Sequence, residues 1–439
     1  MRHLIVFSHL RWSFVYQRPQ HLLTRLAAHY RVLFVEEPIR CEGAAHFESR
    51  RQGANIEILV PRTPLESQGF HDDQVSVVAP LLRSYLVDKG IDDYVVWLYT
   101  PMALPLVTPL RPRAVVYDCM DELAAFKDAP RQLRQREAAL MKMSDVVLTG
   151  GPALYEAKRA LNPNVHCLPS AVDSSHFSPA RLALDSGSER TAAADLHAHI
   201  PAPRLGFYGV IDERLDTTLL STLADAHRNW QLVMVGPVVK IDPQRLPQRA
   251  NVHWLGMQPY ERLPHLAAQW DVCLLPFALN DATRFISPTT TLEYMAAERP
   301  SVSTRIRDVA DAYGHVVAIA DTTAEFIDAC ATLLAESDAQ KAVRGMEMRR
   351  ILAGTSWDAA TAAIHGLIEA LPANVPPSQE AANSDFAPEL LDMDGQSVET
   401  PAYAPIVVSA GPNGRAAAYQ QILGRTRPAR AVAGWKPAA

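Results

Sequence analysis

The chain has few cysteines, no long apolar run and no strong charge of either sign, and each absence removes a class of protein. Its five cysteines, Cys41, Cys119, Cys167, Cys273 and Cys330, are scattered, form no C-x-x-C pair and are odd in number. A closed disulfide framework is therefore not expected, and a reduced, cytosolic compartment is. The opening MRHLIVFSHLRW has only four consecutive apolar residues, too few for a secretory core. Nothing in the chain approaches the ~20 apolar residues that cross a bilayer as a helix. A net charge of −6 argues against a dedicated nucleic-acid partner. The balance is uneven: residues 1–170 carry 20 Lys/Arg and 18 Asp/Glu, leaving 22 and 30 for the remainder. The first part thus permits peripheral contact with an anionic inner membrane face without requiring it.

What is present is a repeated α/β pattern too long for one ordinary core, so two domains are expected over 439 residues. Apolar runs at 3–8, 31–38, 55–61, 94–99, 114–118, 145–150 and 165–169 read as buried strands. Helical spacing lies between most of them, as in 18–30, 132–143 and 152–161. Fully apolar strands separated by helices predict a parallel sheet covered on both faces. Residues 1–174 are therefore expected to form a Rossmann-like doubly wound domain. A polar Ala/Ser-rich stretch at about 180–202 interrupts the pattern. It resumes with strands at 204–209, 231–236, 251–256, 271–277, 300–304 and 316–320, giving a second Rossmann-like domain over 175–371. A closing helix at 355–371 is assigned to that second domain. Residues 372–439 are rich in Pro, Ala, Ser and Asn and are expected to be a mostly disordered tail, with APIVVSA its one strand-like piece. Two such domains in series place the carboxyl ends of two sheets across a cleft, where open α/β sheets bind ligands.

The most informative segment is DVCLLPFALNDATRFISPTTTLEYMAAERPSVST, 271–304. A strand ends near Pro276, a long loop follows, and a helix opens near Pro288. The backbone N–H groups of Thr289, Thr290 and Thr291 would lie at a positive helix end suited to a pyrophosphate. Glu293 would accept two ribose hydroxyls. Thr290 and Glu293 also fit a plain capping box, in which the glutamate serves only its own helix.

Taken with its surroundings, the segment resembles the donor-binding stretch of retaining GT-B glycosyltransferases of the family-4/group-1 type, P-T/S-K-x-x-E-x-M/L-A-x-G-x-P-V-V-x-T. Pro288, Thr289, Glu293, Tyr294, Met295, Ala296, Pro300, Val302 and Thr304 are in register. The resemblance assigns the ribose to Glu293 and the phosphates to Ser287 through Thr291. It departs at Thr290, where relatives carry lysine, and at Glu298-Arg299, where they carry a glycine. Another cation must then serve the diphosphate. Arg214, in GFYGVIDERLD beside the glycine turn at Gly209, is one candidate, with pairing to Asp212 or Asp216 as the alternative. Lys240, beyond Gly236, is a weaker one. The turn at Gly256-Met257 is placed by the resemblance beside the nucleotide base.

On the acceptor side the loop 13–22 has no glycine where relatives are Gly-rich, but it offers Arg18, Gln20 and His21. PSAVDSSHF, 169–177, resembles the family hinge, with Asp173 and Phe177 structural. At the end of the 114–118 strand, Asp118 and Asp121 are candidates to accept the acceptor's proton or to orient it, with helix capping as the alternative. The resemblance therefore implies a nucleotide-sugar donor, a glycan or lipid-linked acceptor, a polysaccharide setting, and no essential metal or other cofactor. A GT-B-like sugar-nucleotide epimerase and a non-catalytic sugar-nucleotide-binding protein are the competing expectations.

Overall fold

The computed structural model describes residues 1–371. The tail reading and its APIVVSA run lie outside the described residues.

The first sheet contains β1 (His3–Ser8), β2 (Arg31–Glu36), β3 (Ile39–Arg40), β4 (His46–Arg51), β5 (Ile56–Thr63), β6 (Tyr94–Leu98), β7 (Ala114–Cys119), β8 (Val146–Thr149) and β9 (Val165–Cys167). The spatial order is β3-β5-β2-β1-β6-β7-β8-β9, with β4 antiparallel on β5 and every other pairing parallel. Leu4 to Phe7 of β1 are shut off from solvent on both faces, as a sheet covered by helices on both sides requires. The second sheet contains β10 (Arg204–Tyr208), β11 (Gln231–Val235), β12 (Val252–Trp254), β13 (Val272–Leu275), β14 (Ser301–Thr304) and β15 (Ala318–Ala320). Its order is β12-β11-β10-β13-β14-β15, all parallel. In both sheets the chain winds outward from the first strand and then returns to its other side. The switch points lie between β1 and β6 and between β10 and β13, and loops at the carboxyl ends of these strands open toward each other.

Three features depart from the sequence reading. The strand β4, HFESRR, went unseen because five of its six residues are exposed and it is largely polar, as suits an edge strand. The stretch 180–202 is helical, in Pro179–Leu184 and Ser188–His197, but buries only Leu182, Ala193 and His197 within those helices, too few to show a period. The closing helix, Trp357–Glu369, does not pack on the second sheet. Trp357, Ile364 and Ile368 enter the core of the first domain beside Leu22, Leu23 and Leu26 of the helix Arg18–Leu26. The chain crosses between cores at Ala171 and Val172, which belong to the first and second cores respectively. It crosses back between Leu352 and Trp357.

Candidate active site in the interdomain cleft

The floor of the second-domain side is three glycine turns laid side by side. Gly209 N–H donates to Val235 O at 3.0 Å, and Gly236 N–H donates to Gly256 O at 2.8 Å. A side chain at Gly236 would bring its Cβ to 1.7 Å from Gly209 O, at a φ of +145° that L residues rarely adopt, so this contact requires glycine. Beyond these turns the chain pairs again, Ile211 against Val238. That pairing carries Arg214 and Lys240 over the floor. Lys240 itself has a φ of 60°, a conformation that costs energy outside glycine and clusters at functional sites. Met257 stands exposed at the rim beyond Gly256.

Facing this floor, the helix Thr289–Ala296 starts after Pro288, which is its cap residue. The capping-box reading of Thr290 and Glu293 is therefore not realised. Ser287, Pro288, Thr289 and Thr290 are partly exposed at the cleft, whereas Thr291 is fully buried and its hydroxyl finds no partner among the described residues. Glu293 is buried beside the Tyr208 hydroxyl at the end of β10. Burial pushes its carboxyl up to about 7, and Tyr208 opposes the rise. A buried carboxyl at a helix start, with little to compensate it, is the kind of group that waits for a ligand's hydroxyls.

The two cations of the second domain lie at the domain boundary. Arg214 clasps Asp212, Nε to Oδ1 at 3.0 Å and Nη2 to Oδ2 at 2.8 Å, while Asp216 instead caps the helix Thr217–Ala226. Phe126 of the first domain lies against both cations, its ring centre 5.4 Å from the Arg214 guanidinium and 5.2 Å from Lys240 Nζ. Glu213 Oε1 accepts from Lys127 N–H at 3.0 Å, and Asp308 Oδ1 accepts from Ala153 N–H at 2.9 Å, each bond joining the two domains. A Cβ on Gly151 would lie 2.7 Å from Ser287 Cβ, so the first domain closes directly on the segment that opens the helix Thr289–Ala296.

On the first-domain wall, the candidate residues engage one another and the fold around them. Asp118 is fully buried and receives Arg18 Nε on both carboxylate oxygens, at 3.1 and 3.0 Å, so neither residue is presented to an acceptor. Arg18 Nη1 donates to Leu168 O at 2.8 Å, tying β9 to the same pair. Gln20 caps its own helix and donates Nε2 to Trp12 O at 2.8 Å. His21 stacks on Trp357 at 4.6 Å and 8°, and burial beside Arg25 lowers its ring to about pKa 3. Asp121 remains a cleft residue. Burial raises its carboxyl to about 6, the nearby Arg214 and Lys240 opposing the rise and Asp212 adding to it.

Sequence reasoning missed His9, Glu37, Phe126 and the pair Tyr16 and Tyr260. The first two follow directly on β1 and β2, the positions where an open parallel sheet presents ligand groups; that placement was the available signal. Tyr16 stacks on Tyr260 of the second domain at 4.7 Å and 23°, and Tyr260 stacks on His176 of the hinge at 4.4 Å. These long-range contacts had no local signature.

Residues 202–336 match the family model of glycosyl transferases group 1. The putative teichuronic acid biosynthesis glycosyltransferase TuaH of Bacillus subtilis is 25% identical over 281 residues, covering 59% of this chain and 68% of that one. In fold, the sucrose-phosphate synthase of Thermosynechococcus elongatus superposes with a TM-score of 0.63 at 15% identity, over 84% of this chain and 98% of that one. HepE of Anabaena, solved with UDP and glucose, gives 0.60 at 12% identity, over 84% and 100%. With its paired parallel sheets and facing carboxyl edges, the chain is a glycosyltransferase of the GT-B class. Its second domain is of the group 1 type.

Proposed function

We propose that this enzyme transfers a sugar from a UDP- or GDP-linked donor to a hydroxyl of a glycan or lipid-linked acceptor, with retention at the anomeric carbon. The observation that carries the reading is the placement of buried Glu293 one turn inside the helix Thr289–Ala296, beside Tyr208 where β10 runs into the glycine turn at Gly209. Glu293 accepts the ribose hydroxyls, and the helix start at Thr289 and Thr290 receives the diphosphate. Lys240 and Arg214 supply the charge that relatives draw from the lysine missing at Thr290, and stabilise the departing diphosphate. The base lies along Gly256 and Met257. Asp121 accepts a hydrogen bond from the attacking hydroxyl. Closure of Phe126 and Gly151 onto the donor side excludes water and aligns the reactants. No metal or other cofactor is needed for these roles. The setting is polysaccharide assembly on the cytoplasmic side of a membrane, a reading supported by the name of the Bacillus relative and by the absence, among the described residues, of any helix long and apolar enough to cross one.

The test is incubation of the full chain with UDP-glucose or GDP-mannose and a panel of glycan acceptors, followed by NMR of the new anomeric proton. Nucleoside diphosphate release coupled to an α-linked product is expected. A β-linked product refutes retention, and release of no nucleoside diphosphate refutes transfer.

A further inference from the structure

The ends of β1 and β2 form a second polar wall that the roles above leave unused. His9 and Glu37 are 5% exposed each, and His9 Nδ1 and Glu37 Oε2 find no hydrogen-bond partner among the described residues. Neighbouring Glu36 is fully occupied, accepting from Arg11 Nη1 at 3.1 Å, from Trp12 N–H at 2.9 Å and from Arg50 Nη2 at 3.3 Å. Glu37 differs because Gly69, with a φ of +66°, leaves room for its carboxyl; a Cβ there would sit 3.0 Å from Oε1. Lys240 of the second domain lies close enough to act electrostatically on both His9 and Glu37, so the wall borders the cation proposed to hold the donor diphosphate.

Charge decides what this wall can hold. Arg11 and Arg18 are matched by Glu36 and Asp118, and Glu37 and Asp121 remain as additional carboxyls. His9 is kept neutral by burial, its pKa lowered to about 3. With Lys240 and Arg214 engaged by the donor diphosphate, an anionic sugar placed here would meet two carboxyls and a neutral imidazole. A hydroxyl-bearing sugar would instead satisfy the two orphan acceptor atoms. We infer that the acceptor sugar is uncharged where it enters the first domain, and that Glu37 and His9 hydrogen-bond its hydroxyls and set its orientation. This rests on the proposed glycosyl transfer.

The experiment uses the full chain with UDP-glucose and GDP-mannose as donors. Methyl glucoside and methyl mannoside are compared with glucose 6-phosphate, mannose 6-phosphate and methyl glucuronide as acceptors. The uncharged glycosides are expected to exceed the charged sugars at least about tenfold in kcat/KM, the size of one unpaired buried polar group. Glu37→Gln and His9→Ala should each raise acceptor KM about tenfold while leaving donor KM within about twofold, and His9→Asn should recover much of the loss. Equal or better use of the charged sugars overturns the inference, as does a donor KM that moves as far as the acceptor KM. Transfer to none of these acceptors, with UDP or GDP still bound, overturns this inference alone. Failure to bind any nucleoside diphosphate overturns the donor reading beneath it.

Discussion

Arg18 reaches across from the first helix to hold both carboxylate oxygens of Asp118 at the end of β7, and the pair is sealed from solvent at 3% and 0% side-chain exposure. A carboxylate so enclosed belongs to the framework of the cleft. Removing one partner leaves the other charge buried and unmatched, whereas removing both does not.

Asp118→Ala is therefore expected to destabilise the protein by about 3–5 kcal/mol, and Arg18→Met with Asp118→Leu to recover most of that loss. Urea denaturation measures both. An Asp118→Ala protein of unchanged stability with a raised acceptor KM would return Asp118 to the acceptor site.

Lys240 and Arg214 are expected to bind the donor through its diphosphate. Lys240→Ala should weaken UDP or GDP about 10–100-fold by calorimetry, while the corresponding nucleoside, lacking phosphates, binds as before. Equal loss for nucleoside and nucleotide would place Lys240 elsewhere in the site.

The sequence reading reached this arrangement unevenly, for physical reasons. The strands were legible because the buried parallel sheets are near-continuous runs of apolar residues, as in HLIVFS and QLVMV. The helix start after Pro288 and its buried Glu293 were legible because their signals fall in one short segment. Arg18 and Asp118 looked functional because each lies where ligands bind, but they are 100 residues apart and only the fold shows that they neutralise each other. The pairing of Trp357 with His21 was hidden in the same way, so the last helix was placed with the wrong sheet.

The domain contact of Tyr16 with Tyr260 should be measurable as a coupling. A double-mutant cycle with Tyr16→Ala and Tyr260→Ala is expected to give about 0.5–1.5 kcal/mol in urea denaturation. Additive effects would mean that the stacked rings contribute nothing to holding the domains together.

Glu293 also predicts a pH dependence. Its carboxyl is raised by burial from 4.5 to about 7, so the native state holds this proton more tightly than the unfolded chain does. Its contribution to stability is complete below about 4.5 and is lost as pH rises through 7. Donor affinity should move the other way, rising through the same window as the carboxylate forms to accept the ribose hydroxyls. His9 and His21, lowered to about 3, give slopes of opposite sign: they contribute stability above 6.5 and lose it as pH falls toward 3. Comparison of wild type with Glu293→Gln between pH 5 and 8 isolates the glutamate. The Gln variant should lose the rise in donor affinity; an identical profile in both proteins would exclude Glu293 as its source.

The most direct test of the donor site is thermal unfolding of wild type and Glu293→Ala with UDP, GDP, ADP and TDP. One nucleotide should raise the wild-type Tm clearly, by mass action on the folded state, and fail to raise that of Glu293→Ala. A shift of the same size in both proteins, or none with any nucleotide, would contradict the assignment of the ribose to Glu293.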